Sequence, residues 1–113
     1  MLKQIMPELP VNDVPAAVAH YREVFGFGVN YAQDDIGVMD RDTCRILLVA
    51  RTGLHTGIGS AYIYVDDADA LFAEFQSAGA LLLARPVDHP WGLRDFVAVD
   101  PDGNRITFGQ PLW

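Results

Sequence analysis

The stretch Ser60-Ala61-Tyr62-Ile63-Tyr64-Val65-Asp66-Asp67 carries side chains suited to holding a flat or cationic molecule. It alternates between apolar-inward and other residues, and a period of two marks a half-buried strand. Ala61, Ile63 and Val65 face one way and suit packing against a helix. Ser60, Tyr62 and Tyr64 face the other way and suit a wall that meets ligand or water. A second candidate segment is His89-Pro90-Trp91-Gly92, a loop around a tryptophan. Rings of this kind stack planar groups and attract cations, at about 0.5–2 kcal/mol per contact. The plainer alternatives are solvent-side sheet positions for Tyr62 and Tyr64 and a plug in a subunit seam for Trp91.

Several other chemistries find no support. The chain has no Gly-rich phosphate loop, no Gly-x-Ser-x-Gly elbow and no His-Glu-x-x-His helix. Gly57-Ile58-Gly59 precedes a strand rather than a helix, so it is no nucleotide fingerprint. Cys44 is the only cysteine, which excludes an intrachain disulfide, and its apolar run points to an inert buried thiol. The three histidines read as surface or loop residues: His20 on a helix, His55 in a glycine-rich connector and His89 in the tryptophan loop.

With 113 residues, the chain is expected to form one domain, residues 1–113. Eight Lys plus Arg against fifteen Asp plus Glu gives 8 − 15 = −7, which disfavours nucleic acid and suits a cationic small molecule. A general acidic balance is the competing explanation. No apolar run approaches the ~20 residues of a membrane span, so no membrane partner is expected. The start of the chain lacks a basic region followed by an apolar core, which makes the cytoplasm the expected compartment.

One plan appears twice. Residues 2–11 read as a strand, held to an edge or bent by Pro7 and Pro10. Asp13 can cap a helix on which Val14, Val18, Tyr21 and Phe25 share a face, and Gly26 stops it. Strands are expected at Phe27–Gln33, Ile36–Met39 and Cys44–Arg51. After the connector 52–59, the second copy has a strand at 60–66 and a helix at 67–78 stopped by Gly79. Strands near 80–85, 93–99 and 104–109 complete it. Val11, Asp13 and Tyr21 match Val65, Asp67 and Phe75 at one constant offset, and Asp40 and Asp42 match Asp100 and Asp102 at another, these last four reading as turn formers. The extra residues of the second copy fall around Pro86–Leu93, and an enlarged loop is a candidate for function.

Two copies of strand–helix–three strands, with Asp100-Pro101-Asp102-Gly103-Asn104 before the last strand, resemble the vicinal-oxygen-chelate superfamily of glyoxalases, extradiol dioxygenases and bleomycin-resistance proteins. Pro7-Glu8-Leu9-Pro10 leading into Asn12-Asp13, the helix end Phe25-Gly26-Phe27-Gly28 and Pro90-Trp91-Gly92 resemble the bleomycin-binding branch. The resemblance covers about residues 4–110. It implies an α+β fold: two paired βαβββ modules (about 2–51 and 60–110) forming a curved mixed sheet around a cavity, with helices outside and a homodimer completing the site.

Metal-bearing members place His, Gln or Glu at four inward positions. Alignment puts Met6, Leu47, Ser60 and Thr107 there, which form no ligand set for zinc, iron, manganese or nickel. The resemblance thus implies no metal and no other cofactor. If those positions face inward, Glu8, Val49, Tyr62 and Tyr64 share their faces. Ile36 falls where relatives can carry a phenylalanine. The implied ligand-binding set is therefore Glu8, Ile36, Leu47, Val49, Ser60, Tyr62, Tyr64, Trp91, Gly92 and Thr107. Glu8 needs a partner to stay charged in an apolar wall, either a cationic ligand or Arg45.

Three functions remain open at this point. The leading one is a non-catalytic binding protein that sequesters a cationic, partly aromatic antibiotic of the bleomycin type. The alternatives are a metal-dependent lyase, isomerase or dioxygenase with atypical ligands, and a module that pairs with another chain and holds no ligand.

Overall fold

The computed structural model describes all 113 residues. Its elements run β1 (Glu8–Val11), α1 (Val14–Glu23), β2 (Gly28–Ala32), β3 (Ile36–Arg41), β4 (Cys44–Ala50), β5 (Ser60–Tyr64), α2 (Ala68–Ser77), β6 (Leu81–Leu82), β7 (Val87–Asp88), β8 (Leu93–Val99) and β9 (Arg105–Pro111). They form two mixed sheets, not a closed barrel. The first has order β1-β4-β3-β2; the second has order β5-β9-β8-β6, with β7 also on β8. In each, the opening strand pairs parallel with the closing one: β1 with β4 and β5 with β9.

The helices start where carboxylates can cap them. Asp13 Oδ1 accepts the Ala16 amide at 3.0 Å, and Asp67 Oδ1 accepts the Ala70 amide at 3.0 Å. These caps satisfy amides that have no partner inside the helix. Val14, Val18 and Tyr21 on α1, with Phe25 just beyond it, are all buried. So are Phe72 and Phe75 on α2. Gly37 on β3 lets α1 come close, because a Cβ there would sit 2.7 Å from a Val18 methyl. Phe25 meets Phe75 at 5.2 Å between ring centroids, so one apolar core joins the two modules.

Some boundaries differ from the sequence expectation. The first strand begins at Glu8, not residue 2; Met1, Leu2 and Ile5 run exposed and unpaired, and Pro7 brings no amide to a ladder. The strand expected near 80–85 is only the two residues of β6, because the chain bends at Leu83-Ala84; it pairs with β8 again beyond Pro86 as β7. β5 stops at Tyr64, and the second helix runs Ala68–Ser77 with Asp67 as its cap.

The turn Asp100–Asn104 does more than reverse the chain. Asp100 Oδ2 accepts the Tyr21 hydroxyl at 2.9 Å and Asn104 Nδ2 at 2.9 Å. Its Oδ1 accepts the amides of Asp102 and Asn104. Asn104 also donates to the Pro10 carbonyl at 2.8 Å and accepts the Gly59 amide at 2.7 Å. Asp100, Asn104 and Tyr21 are all buried. A second tie lies at the far end of the modules, where Arg41 makes a two-pronged pair with Glu74 at 2.7 and 2.9 Å.

Two measurements test this framework. Tyr21→Phe removes one hydrogen bond to a buried carboxylate and should lower unfolding free energy by about 1.5–3 kcal/mol in urea titrations. His20 packs edge-on against Phe25 at 4.8 Å, and burial pushes its imidazole below the ordinary 6.5 despite the opposing field of Asp100. As pH falls through 6.5 the unfolded chain takes up this proton first, so the stability of a neutral His20 is lost toward acid. The drop in stability between pH 7.5 and 5.5 should be smaller in His20→Gln; an equal drop would refute this.

Candidate functional site

Each sheet keeps one face on the helices and leaves the other uncovered. On the second sheet, the parallel register sets Ser60 beside Arg105, Tyr62 beside Thr107 and Tyr64 beside Gly109. Across β9, Val97 lies beside Thr107 and Asp95 beside Gly109. On the first sheet, Glu8 pairs with Leu47 and Pro10 with Val49. Val38 follows beside Leu47, and Ile36 beside Val49. Eight of the ten candidate residues lie on strands at these faces or, for Trp91, in the adjoining loop; Val49, expected in the wall, is instead buried, only 7% exposed. Gly92 closes the turn after Trp91 with a left-handed backbone, its amide donating to the His89 carbonyl at 3.0 Å.

The aromatic side chains are available to a ligand. Tyr62 is 45% exposed, Tyr64 68% and Trp91 64%. Tyr62 and Tyr64 meet edge to face at 5.6 Å. The Tyr62 hydroxyl donates to Asp95 Oδ2 at 3.0 Å. Desolvation first, and this hydrogen bond next, push the phenol up to about 12, so it stays a donor at neutral pH. Tyr62 can reach Asp95 only because position 109 is glycine: a Cβ there would penetrate the Tyr62 ring. Neither Asp95 nor Gly109 was singled out in the sequence. Parity along 93–99 puts Asp95 on the face of Val97, but its partner depends on the β5–β9 register, which local pattern does not carry.

The histidines and Arg45 correct the earlier expectations. His20 is no free surface residue: it is half-buried, edge-on against Tyr21 and Phe25 at the margin of the core. His89 is no free loop residue: its Nε2 lies 2.7 Å from Asp95 Oδ1, and its ring stacks under Trp91 at 4.4 Å and 7°. His55 of the connector approaches Glu8, with Nδ1 3.4 Å from the carboxylate. Arg45 does not serve Glu8; it forms a two-pronged pair with Asp40 at 2.7 and 2.9 Å, and Asn30 donates to the same carboxylate. The Arg45 hydrogen bond holds the Asp40 carboxyl below its usual range. Asp40, expected as a turn former, is therefore one half of an ion pair on β3. Cys44 is partly exposed, not buried.

A cavity of about 460 Å³ lies elsewhere, between the Arg41–Cys44 turn and the β5–α2 segment, floored by Phe27, Phe75 and Phe108. Of the ten candidates only Tyr64 borders it.

Metal chemistry of the kind found in this fold does not fit the residues present. Met6 precedes β1, and Leu47, Ser60 and Thr107 supply at most hydroxyl oxygens. The neighbours given by the register, Glu8 and Tyr62, add one carboxylate and a phenol that holds its proton. No group of three or more His, Cys, Asp or Glu side chains is gathered anywhere in the chain. Zinc, iron, manganese and nickel sites are built from imidazole, thiolate and carboxylate in such groups.

With two βαβββ modules and uncovered aromatic faces in view, the class is defined. The chain belongs to the Glyoxalase/Bleomycin resistance protein/Dioxygenase superfamily, whose family model matches residues 2–108. The bleomycin resistance protein of Geobacillus stearothermophilus is 28% identical over 128 residues, covering 96% of this chain and 97% of that one. The bleomycin-binding protein of Streptomyces verticillus, solved with copper(II)-bleomycin, is 28% identical with a TM-score of 0.81, covering 96% and 97%. A lactoylglutathione lyase from Agrobacterium tumefaciens shares the fold at 23% identity, TM-score 0.79, covering 96% and 94%. No helix of the chain is long and apolar enough to cross a membrane.

Gly109→Ala should leave the fold intact and expel the Tyr62 ring from its place over β9. In NMR spectra the Tyr62 ring resonances should move and their contacts with residue 109 vanish, while amides of the first module keep their positions. An unmoved Tyr62 would contradict the role given to Gly109.

Proposed function

We propose that this protein is a non-catalytic, cytoplasmic binding protein that sequesters an antibiotic of the bleomycin type. The observation that carries this reading is the exposed aromatic wall, Tyr62, Tyr64 and Trp91, bordering an anchored carboxylate on a face with no metal donor set. Flat rings stack a planar tail of the ligand, and their π faces favour its positive charge. The net charge of −7 adds a long-range attraction for a cation. Relatives named for bleomycin resistance and bleomycin binding, aligned over nearly the whole chain, point the same way.

The active form is a homodimer. Tyr62, Tyr64, Leu81, Leu83 and Val87 on the second sheet leave much apolar surface without cover, and Ile36 and Leu47 on the first are only half-buried. Contiguous patches of this kind mark interaction sites. Closing two copies over these faces turns open walls into clefts that hold ligand. Ile36, Leu47, Ser60 and Thr107 then form the apolar and hydroxyl lining, while Glu8 and Gly92 border it.

Titration calorimetry with metal-free bleomycin tests this. Saturable binding is expected, with Trp91→Ala and Tyr64→Ala each weakening affinity about tenfold, the size of one cation–π or stacking contact. Absence of heat, or unchanged affinity in both variants, would refute the reading.

A further inference from the structure

One carboxylate joins the two aromatic segments of the wall. Asp95 sits on β8, with its side chain only 14% exposed. Its Oδ1 lies 2.7 Å from His89 Nε2, and its Oδ2 accepts the Tyr62 hydroxyl at 3.0 Å. His89 in turn carries Trp91, stacked at 4.4 Å and nearly parallel. Tyr62 carries Tyr64 against its edge at 5.6 Å. The loop holding Trp91 and the strand holding the tyrosines are far apart in sequence, and these contacts couple them.

We propose that Asp95 is the positioning residue of this wall, holding Trp91 through His89 with one oxygen and Tyr62 with the other, so that both stacking surfaces meet one flat cationic ring. The inference rests on the reading of this wall as the ligand site. Preorganisation of this kind removes the cost of ordering exposed rings at the moment of binding. It explains why His89 is stacked rather than solvated and why position 109 has no side chain. One face of Trp91 lies on the imidazole, leaving its other face for a ligand.

The charged groups around His89 are few. Asp95 faces it from β8 and the Tyr62 phenol from β5. The neighbouring Asp88 is engaged by Arg94 Nη1 at 2.9 Å, and the other end of that guanidinium is held by Asp69 of α2 at 2.9 Å. Arg94 alternates with Asp95 along β8 and so projects from the opposite face. Asp95 is thus the carboxylate that holds His89 in place beneath Trp91.

Trp91 itself reports the arrangement. The chain has two tryptophans, so in a Trp113→Phe background the emission comes from Trp91 alone. Held against His89, the Trp91 ring should give strongly anisotropic emission. Asp95→Asn and His89→Gln should each lower this anisotropy and open the ring to acrylamide quenching, because each breaks the chain of contacts that fixes it. Tyr62→Phe, which releases only the tyrosine arm, should leave the Trp91 emission unchanged. Amides of the first module should keep their NMR positions in all three variants, which separates loss of positioning from loss of fold. Asp95→Asn should also weaken bleomycin binding about tenfold. Trp91 anisotropy and quenching unmoved in both Asp95→Asn and His89→Gln overturn the proposal. Loss of Trp91 order in both variants, with no bleomycin binding by the unaltered protein, upholds the positioning role and overturns the antibiotic reading instead.

Discussion

The relation between the two modules depends on a single buried carboxylate. Asp100 is almost fully removed from solvent, and a charge so placed is tolerated only when its lone pairs are met by donors. Four donors meet it: the Tyr21 hydroxyl, the Asn104 side chain and the amides of Asp102 and Asn104. Because Tyr21 belongs to the first module and Asn104 reaches Pro10 and Gly59, satisfying this one charge joins α1, β1, the connector and the β8–β9 turn. Arg51 reinforces the same junction, donating to the carbonyls of Pro10 and Asp102 and to Asn12.

With the modules held by this knot and by the Arg41–Glu74 pair at the other end, the helices and the phenylalanine cluster fill the space between them. Neither helix is free to cover the opposite face of its sheet. The uncovered faces follow from the way the interior is closed, and they carry the rings on which the proposed function rests. Aromatic residues left half exposed on a fixed sheet lose little conformational freedom when a ligand arrives, which suits binding by stacking.

Much of this was legible in the sequence because it is local. The alternation from Ser60 to Val65 set which residues meet the core, and Asp13 and Asp67 announced both helix starts at matching places in the repeat. Asp100 and Asp102 were read only as turn formers, since nothing local shows that the turn is buried against Tyr21. The site was half legible for the same reason. Tyr62, Tyr64 and Trp91 could be named from type and parity, whereas Asp95, His89 and Gly109 acquire their roles from a parallel pairing between strands about 45 residues apart. Arg45 was assigned by parity to Glu8, but the β3–β4 hairpin sets it directly across from Asp40, and that closer carboxylate wins.

The central claim is that the uncovered aromatic face, not the cavity between the Arg41–Cys44 turn and α2, receives the ligand, and that no protein–metal bond is needed. A crystal structure of the protein grown with copper(II)-bleomycin tests it most directly. The account predicts a flat ring system of the drug lying on Trp91 and Tyr64, with its copper bound by the drug alone. Drug density in the Phe27–Phe75–Phe108 cavity, or copper bonded to a protein side chain, would contradict it.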